Sequence, residues 1–427
     1  MHKTIILAFL LITICLLGMS VKRVDITNEK SNSELWKEDI DYYKSTLKDK
    51  HINLYHSINN VVFNQKIEDL TNKLSSLNKH EIMVEMMGIT RSIGDGHTQF
   101  SAMGGPHEHY PFSLEWVDGK IRVMAASTKF KNLLGNELIA IDGVPLDEVL
   151  DKINPVIQGV ENKYSLRSGY RWHLNVSELL YGLHITSALG HATFTFFDEN
   201  KSRININANA ISMNEFMSDV IHRLSLDRGI FSHPDIKKTD GLWLSVNRPL
   251  RTAYLHFSNY PSRSEMQSFA EDVEDYLNKN NIQNLIIDLR ENGGGDFFLG
   301  LLLANHLILV DGLNWNNGIY VLIGGHTYSA GMSNAAQYRS ILNATLVGEP
   351  TGANPIGYQD ADGFTLPNSK RYVQYSKRMY RFQNNSTNGV IPDHHIINDW
   401  ESYATGKDKQ LAYITSLIRK ARDNDVQ

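Results

Sequence analysis

Cysteine is almost absent from this chain: Cys15 is the only one in 427 residues. It lies in an apolar run, Thr4–Leu17, with Lys3 ahead of it and Gly18-Met19-Ser20 behind. That is the layout of a secretory signal cut after Ser20, so residues 1–20 are expected to be removed on export. The remaining chain would have no cysteine, which excludes a thiol nucleophile, a disulfide framework and cysteine-ligated zinc. Lipidation of Cys15 is disfavoured by the bulky Ile14 before it. An uncleaved run would tether the protein to a membrane, although it is short for a full span. Blocks of basic residues are also missing, and the net charge is −5, so no nucleic-acid partner is expected. There is no internal repeat, no low-complexity tract and no metal-ligand constellation. His107 and His109, in a Gly/Pro-rich loop, read as surface residues, and no metal or other cofactor is expected. What is present is ordinary for a globular protein: 42% hydrophobic and 21% charged residues, and length enough for two or three domains.

The informative stretch is 284–352. An apolar run, Tyr320–Ile323, stops at Gly324-Gly325, and a helical pattern (Met332, Ala335, Ala336) starts at Ser329. A strand, a sharp turn, a serine and a helix lift a hydroxyl to a sheet edge and aim free helix N–H groups at whatever it attacks. Taken alone, Ser329 reads more readily as an N-cap, a role that serine favours. Upstream, Asn284–Arg290 reads as a buried parallel strand running into Glu291-Asn292-Gly293-Gly294-Gly295-Asp296 and an apolar helix, Phe297–Ile308. Such a glycine run suits a phosphate or an oxyanion. Phe298 stands where a dinucleotide loop wants glycine, and Asp296 would repel a pyrophosphate, so an oxyanion hole fits better.

Asp288–Gly295, the turn Thr327-Tyr328-Ser329-Ala330, and Val347-Gly348-Glu349-Pro350-Thr351-Gly352 occur in one order. Together they resemble the carboxy-terminal-processing (tail-specific) serine peptidases, a family that includes the tricorn core protease. The resemblance covers roughly residues 35–400, most firmly 240–400. It implies that Ser329 is the nucleophile and that the N–H groups of Gly294 and Ala330 hold the oxyanion. One branch of the family uses a lysine base shortly after the Gly-Glu-x-Thr motif. Here that position is Asn354, and an amide cannot take a proton from serine. The other, tricorn-like branch uses a histidine in a turn after the N-terminal helices, which points to His97 in Gly94-Asp95-Gly96-His97 as general base.

Two departures from the tricorn-like pattern stand out. The glutamate that orients the base is expected just before Gly389-Val390-Ile391-Pro392, yet residues 384–388 hold no carboxylate. Asn385 or Asn388 is the expected substitute, since an asparagine orients histidine in papain-like proteases, with Asp95 and Asp393 as the other options. The serine beside the base is replaced by Gly96. His326 and the pair His394-His395 are rival bases, and Asp288 and Arg290 are expected to fix the glycine loop.

The expected fold is mixed α/β and multidomain. A helical domain spans 21–100, with Trp36, Ile40, Tyr43 and Leu47 on one helix face, a further apolar series from Phe63 to Leu77, and a restart between Ser76 and Glu81. A β-rich domain spans 101–235, with a hairpin at Asp118-Gly119; Leu134–Leu146 resembles the core of a PDZ domain. A catalytic α/β domain of βαβ units spans 236–427. The expected function is an exported serine endopeptidase (periplasmic, cell-envelope or extracellular) acting on peptides or proteins. The alternatives are a weak or inactive binder of peptides or hydrophobic ligands on the same scaffold, and an acyl hydrolase of small esters. Oligomeric state is not legible.

Overall fold

Capping signals define the first three helices of the computed structural model, which describes residues 30–100 and 107–425. The expected signal and Cys15 lie outside the described residues. Ser31 and Glu34 form a capping box at the start of α1 (Asn32–Lys50), whose buried face carries Trp36, Ile40, Tyr43 and Leu47. Asn59 caps α2 (Asn60–Lys73). Asn78 and Glu81 box the start of α3 (Lys79–Arg91), the restart read from sequence.

An antiparallel sheet follows. Strands Phe112–Val117 and Lys120–Ala126 meet at a turn with positive φ at both Asp118 (51°) and Gly119 (80°), the hairpin geometry that an Asp-Gly pair favours. Strand Glu137–Ile141 and helix α4 (Leu146–Ile153) follow, and α5 (Lys163–His173) comes next. The helices and this sheet share a core: Tyr43, Phe63 and Met86 belong to one buried cluster with Phe112, Phe194 and Phe196. The expected boundary between residues 100 and 101 therefore divides the chain but not its core.

The second sheet holds the parallel strands Thr252–Phe257, Asn284–Asp288, Ile319–Ile323, Thr345–Gly348 and His394–His395 side by side, with antiparallel strands Leu242–Asn247 and Ile236–Thr239 at one edge. Helices Arg263–Lys279, Phe297–Ile308 and Ala330–Ile341 cover one face. Helix Lys409–Asp425 covers the other, through Leu411, Ile414 and Ile418 against Tyr254, Ile286 and Leu322. Cover on both faces explains the nearly unbroken apolar runs in these strands. Their carboxyl ends carry the glycine loop and the Ser329 turn, where open α/β sheets place their sites.

One segment departs from the expected division. The hairpin Ile356–Thr365 and Tyr372–Arg381 leaves the second sheet and pairs with Gln99–Phe100. Its Leu366, Val373 and Tyr375 are buried in the first core. The N–H groups of Asn368 and Ser369 donate to Asp39 at 2.8 and 2.7 Å, and Ile52 N–H donates to the Ser376 carbonyl at 3.1 Å. This arm of the C-terminal region clasps the N-terminal helices and so carries the turn before Gln99 toward Ser329.

Candidate active site

Hydrogen bonds between the two loops set the serine turn. Thr327 Oγ1 donates to the Leu289 carbonyl at 2.8 Å and accepts from Gly324 N–H at 3.0 Å, while Tyr328 N–H donates to the Asn292 carbonyl at 2.9 Å. They hold Ser329 at φ 50°, ψ −121°, a conformation that costs a non-glycine residue energy. Ser329 occupies the N-cap position of helix Ala330–Ile341, but its side chain makes no capping hydrogen bond. Its Oγ lies instead 3.0 Å from His97 Nε2. The hydroxyl and the imidazole, 232 positions apart in sequence, are in hydrogen-bond contact.

The glycine loop packs directly on the serine. Gly294 has φ 118°, and a Cβ there would sit 2.6 Å from Ser329 Cβ and 3.3 Å from Ala330 N. Ala330 N–H has no hydrogen-bond partner among the described residues. Gly294 N–H, by contrast, donates to Asn292 Oδ1 at 3.1 Å, so only one of the two expected oxyanion donors is free in this structure. Asn292 is fully buried and also donates to the Phe257 carbonyl at 3.0 Å.

The turn that bears His97 is built around Asp95. Its Oδ1 accepts from the N–H groups of His97 (3.1 Å) and Thr98 (2.7 Å) and from Ser376 Oγ (2.6 Å), and its Oδ2 meets His51 Nε2 at 3.0 Å. Asp95 thus shapes the backbone of the turn rather than touching the imidazole. Burial alone would raise its pKa, but the bonds from His51 and Ser376 hold it below the ordinary value. Ionised Asp95 therefore stabilises the fold at and above about pH 4, and that contribution is lost as pH falls through the lower folded value. Asp95→Asn should melt below wild type at neutral pH, with the gap narrowing as pH is lowered from about 5 to about 3. A gap constant across that range would show that the charge is not what holds the turn.

A residue unread in the sequence faces the other side of the ring. Glu161 Oε1 lies 3.3 Å from His97 Nδ1, with both side chains 6% exposed. The contact falls short of a formed hydrogen bond, leaving Nδ1 without one; such contacts tighten when a site fills. Glu161 is itself fixed. Tyr328 Oη donates to its Oε1 at 3.0 Å and Asn354 N–H to its Oε2 at 2.7 Å. Asn354 Nδ2 donates to the Glu161 carbonyl at 3.2 Å, and Asn162 Nδ2 reaches Asn354 Oδ1 at 2.9 Å. Asn354, at the position where the resemblance leads one to look for a lysine base, thus anchors a carboxylate. The Tyr328 ring also stacks on the imidazole, with centroids 5.4 Å apart.

The expected orienters Asn385 and Asn388 are corrected by this arrangement. Both are exposed, in a loop where Gln383 Nε2 donates to the Asn385 carbonyl at 2.6 Å, and neither bonds to His97. A polar loop without an apolar anchor has nothing to draw it into the interior. Asp393 accepts from Leu346 N–H at 2.8 Å and pairs with Arg339. Of the rival bases, His394 bonds Tyr413 at 3.2 Å, and His326 lines a separate cavity. Asp288 and Arg290 pair at 2.6 Å and continue to Asp408, holding the start of the glycine loop. His107 and His109 are buried, not at the surface, and among the described residues no group of three His, Asp or Glu could hold a metal ion.

Gly96 also acquires a reason. A Cβ there would lie 1.9 Å from Tyr328 Oη and 2.6 Å from Glu161 Cγ. Gly96→Ser, which restores the tricorn-like residue, should therefore displace Tyr328 and Glu161 and cut turnover at least about tenfold, as a misplaced catalytic group does. Steady-state kinetics of that variant check this; unchanged turnover would mean that the Tyr328–Glu161 contact does not matter.

Residues 251–312 match the family model for peptidase family S41. Solved structures share the fold across nearly the whole chain. Mature CPAF is similar at a TM-score of 0.68 with 12% identity, covering 92% of this chain and 99% of that one. A CPAF mutant gives 0.63 and 13%, covering 91% and 98%, and mature CPAF complexed with lactacystin gives 0.61 and 11%, covering 91% and 98%. No curated protein sequence matches the chain. The family match is confined to residues 251–312, and the likeness to the solved structures is one of fold.

Proposed function

We propose that this chain is an exported serine endopeptidase working through Ser329, His97 and Glu161. The observation that carries this reading is the 3.0 Å contact between Ser329 Oγ and His97 Nε2 beside an unpartnered Ala330 N–H. Ser329 Oγ attacks the peptide carbonyl as its proton passes to His97 Nε2. Ala330 N–H stabilises the tetrahedral oxyanion, joined by Gly294 N–H once that group leaves Asn292 Oδ1. The imidazolium returns its proton to the leaving amine, which departs and leaves an acyl-serine. Water then repeats the sequence: His97 takes its proton, the hydroxyl attacks the ester, and Ser329 recovers its hydrogen. Glu161 holds the ring through Nδ1–H and offsets the imidazolium charge, both side chains being buried.

The binder alternative drew its support from the missing carboxylate near Asn385, and Glu161 removes that support. The test is incubation with an unstructured polypeptide and, separately, with short nitrophenyl esters, reading the products by mass spectrometry. Internal cleavage of the polypeptide is expected. Ester hydrolysis with an intact polypeptide would turn the reading toward an acyl hydrolase. Export rests on the sequence pattern of residues 1–20. Among the described residues no helix is long and apolar enough to cross a membrane. A mature N-terminus at Val21 is the expected result of N-terminal sequencing; an intact Met1 on exported protein would mean the segment is kept as a tether.

A further inference from the structure

A cavity of about 550 Å³ opens between the Asp118-Gly119 turn, helix α5 and the carboxyl ends of the parallel strands. That is the size of small-molecule sites. Its wall is charged, and most of the charges are already paired. Arg171 bonds Glu115 at 2.8 Å and Glu291 at 2.9 Å, Arg223 shares Glu115 at 3.1 Å, and Arg290 holds Asp288. Two guanidiniums on the wall have no carboxylate partner among the described residues. Arg167 lies 4.9 Å over the Trp116 ring, and Arg228 lies 5.4 Å over the Trp243 ring and donates to Tyr254 Oη at 3.2 Å. His256, on the same wall, is 8% exposed, and its Nδ1 has no hydrogen-bond partner. The lining carboxylates without a salt-bridge partner are Glu349, whose pKa burial raises against the opposing pull of His395 and Arg167, and Asp118, exposed at the rim. Arg167 and Arg228 are thus two cationic donors on this wall with no carboxylate salt bridge.

We propose that this cavity is a binding site for a compact anion bearing a carboxylate or phosphate group, gripped by Arg167 and Arg228. The planar fork of a guanidinium matches both groups. The position also couples the site to the nucleophile. Gly325 and His326 of the serine turn line the cavity. Helix α5 packs so closely on Gly325 that a Cβ there would lie 2.9 Å from Ser168 Oγ, and the same helix begins two residues after Glu161. An occupant bears on the helix and the turn that set Glu161 and Ser329. This coupling rests on the peptidase reading; the binding does not.

Trp116 is a built-in reporter. Full-length protein is titrated with inorganic phosphate and, separately, with citrate, against sodium chloride at matched ionic strength, while tryptophan fluorescence is followed. A saturable change with one probe, absent with chloride and lost in Trp116→Phe, is expected. Its dissociation constant should weaken about tenfold in Arg167→Gln and in Arg228→Gln, the loss of one charge-assisted contact. Arg167→Lys should keep part of the affinity, and far-UV circular dichroism checks that each variant folds. A response to citrate alone assigns carboxylate chemistry, and one to phosphate alone assigns phosphate. No saturable change with either probe, or titrations unaltered in both glutamine variants, would overturn the site. At saturation, peptide hydrolysis should change at least about twofold; binding with unchanged hydrolysis would overturn the coupling and leave the site standing.

Discussion

Ser329→Ala should lose peptide hydrolysis by roughly 10⁴- to 10⁶-fold in kcat, with the fold intact. The expectation follows from geometry. Ser329 Oγ faces the imidazole rather than a helix N–H, so its removal takes away the nucleophile without uncapping the helix. His97→Ala should fall by a comparable factor, and the double variant should be little worse than either single one, because the two groups act as a unit. A separate signature distinguishes nucleophile from scaffold. At φ 50° the serine backbone is strained, so Ser329→Gly should be inactive yet more stable than wild type, by about 1 kcal/mol. Thermal unfolding of the two variants reads this out. A glycine variant that melts below wild type would mean that the hydroxyl contributes more to folding than the strain costs.

The second large effect is expected at Glu161. Glu161→Gln keeps the size of the side chain and one oxygen to accept from Asn354 N–H or Tyr328 Oη, but removes the charge 3.3 Å from His97 Nδ1. A fall of roughly 10²- to 10⁴-fold in kcat is expected, with little change in KM, because an orienting carboxylate acts mainly once the imidazolium forms. Asn385→Ala and Asn388→Ala should behave as wild type, since both residues are exposed. If Asn385→Ala or Asn388→Ala rather than Glu161→Gln slowed the enzyme, the assignment of the carboxylate would be wrong. Tyr328→Phe should fall between these outcomes. It keeps the ring stacked on His97 but deletes the hydroxyl that fixes Glu161 Oε1.

These two residues also mark how far the sequence could be read. Ser329 was legible because its signals are local: an apolar strand, a glycine pair and a helix start within a dozen residues. The strand Asn284–Asp288 and the helix Phe297–Ile308 were legible for the same reason. His97 was visible only through resemblance, since a histidine in a glycine turn carries no message by itself. Glu161 carries none either. Its one local hint is Asn162, which caps α5, and a carboxylate beside a helix start is commonplace. What singles Glu161 out is tertiary, namely the Asn162–Asn354 bond and the Tyr328 hydroxyl, from residues far away in the chain. The reach of the hairpin was illegible for a related reason. Periodicity predicts a strand at Tyr372–Tyr375 but not which core buries it, and here the hairpin leaves its own domain to clasp another. The buried His107 and His109 were misread because a Gly/Pro-rich loop usually lies at the surface.

The most direct measurement is labelling with a fluorophosphonate, whose phosphorus accepts attack only from an activated serine. Wild-type protein, His97→Ala and Glu161→Gln are exposed to the probe, and the modified peptide is mapped by mass spectrometry. The account predicts a single adduct on Ser329 in wild type, markedly slower labelling in Glu161→Gln and essentially none in His97→Ala. Equal labelling of Ser329 in all three, or an adduct on another serine, would contradict it.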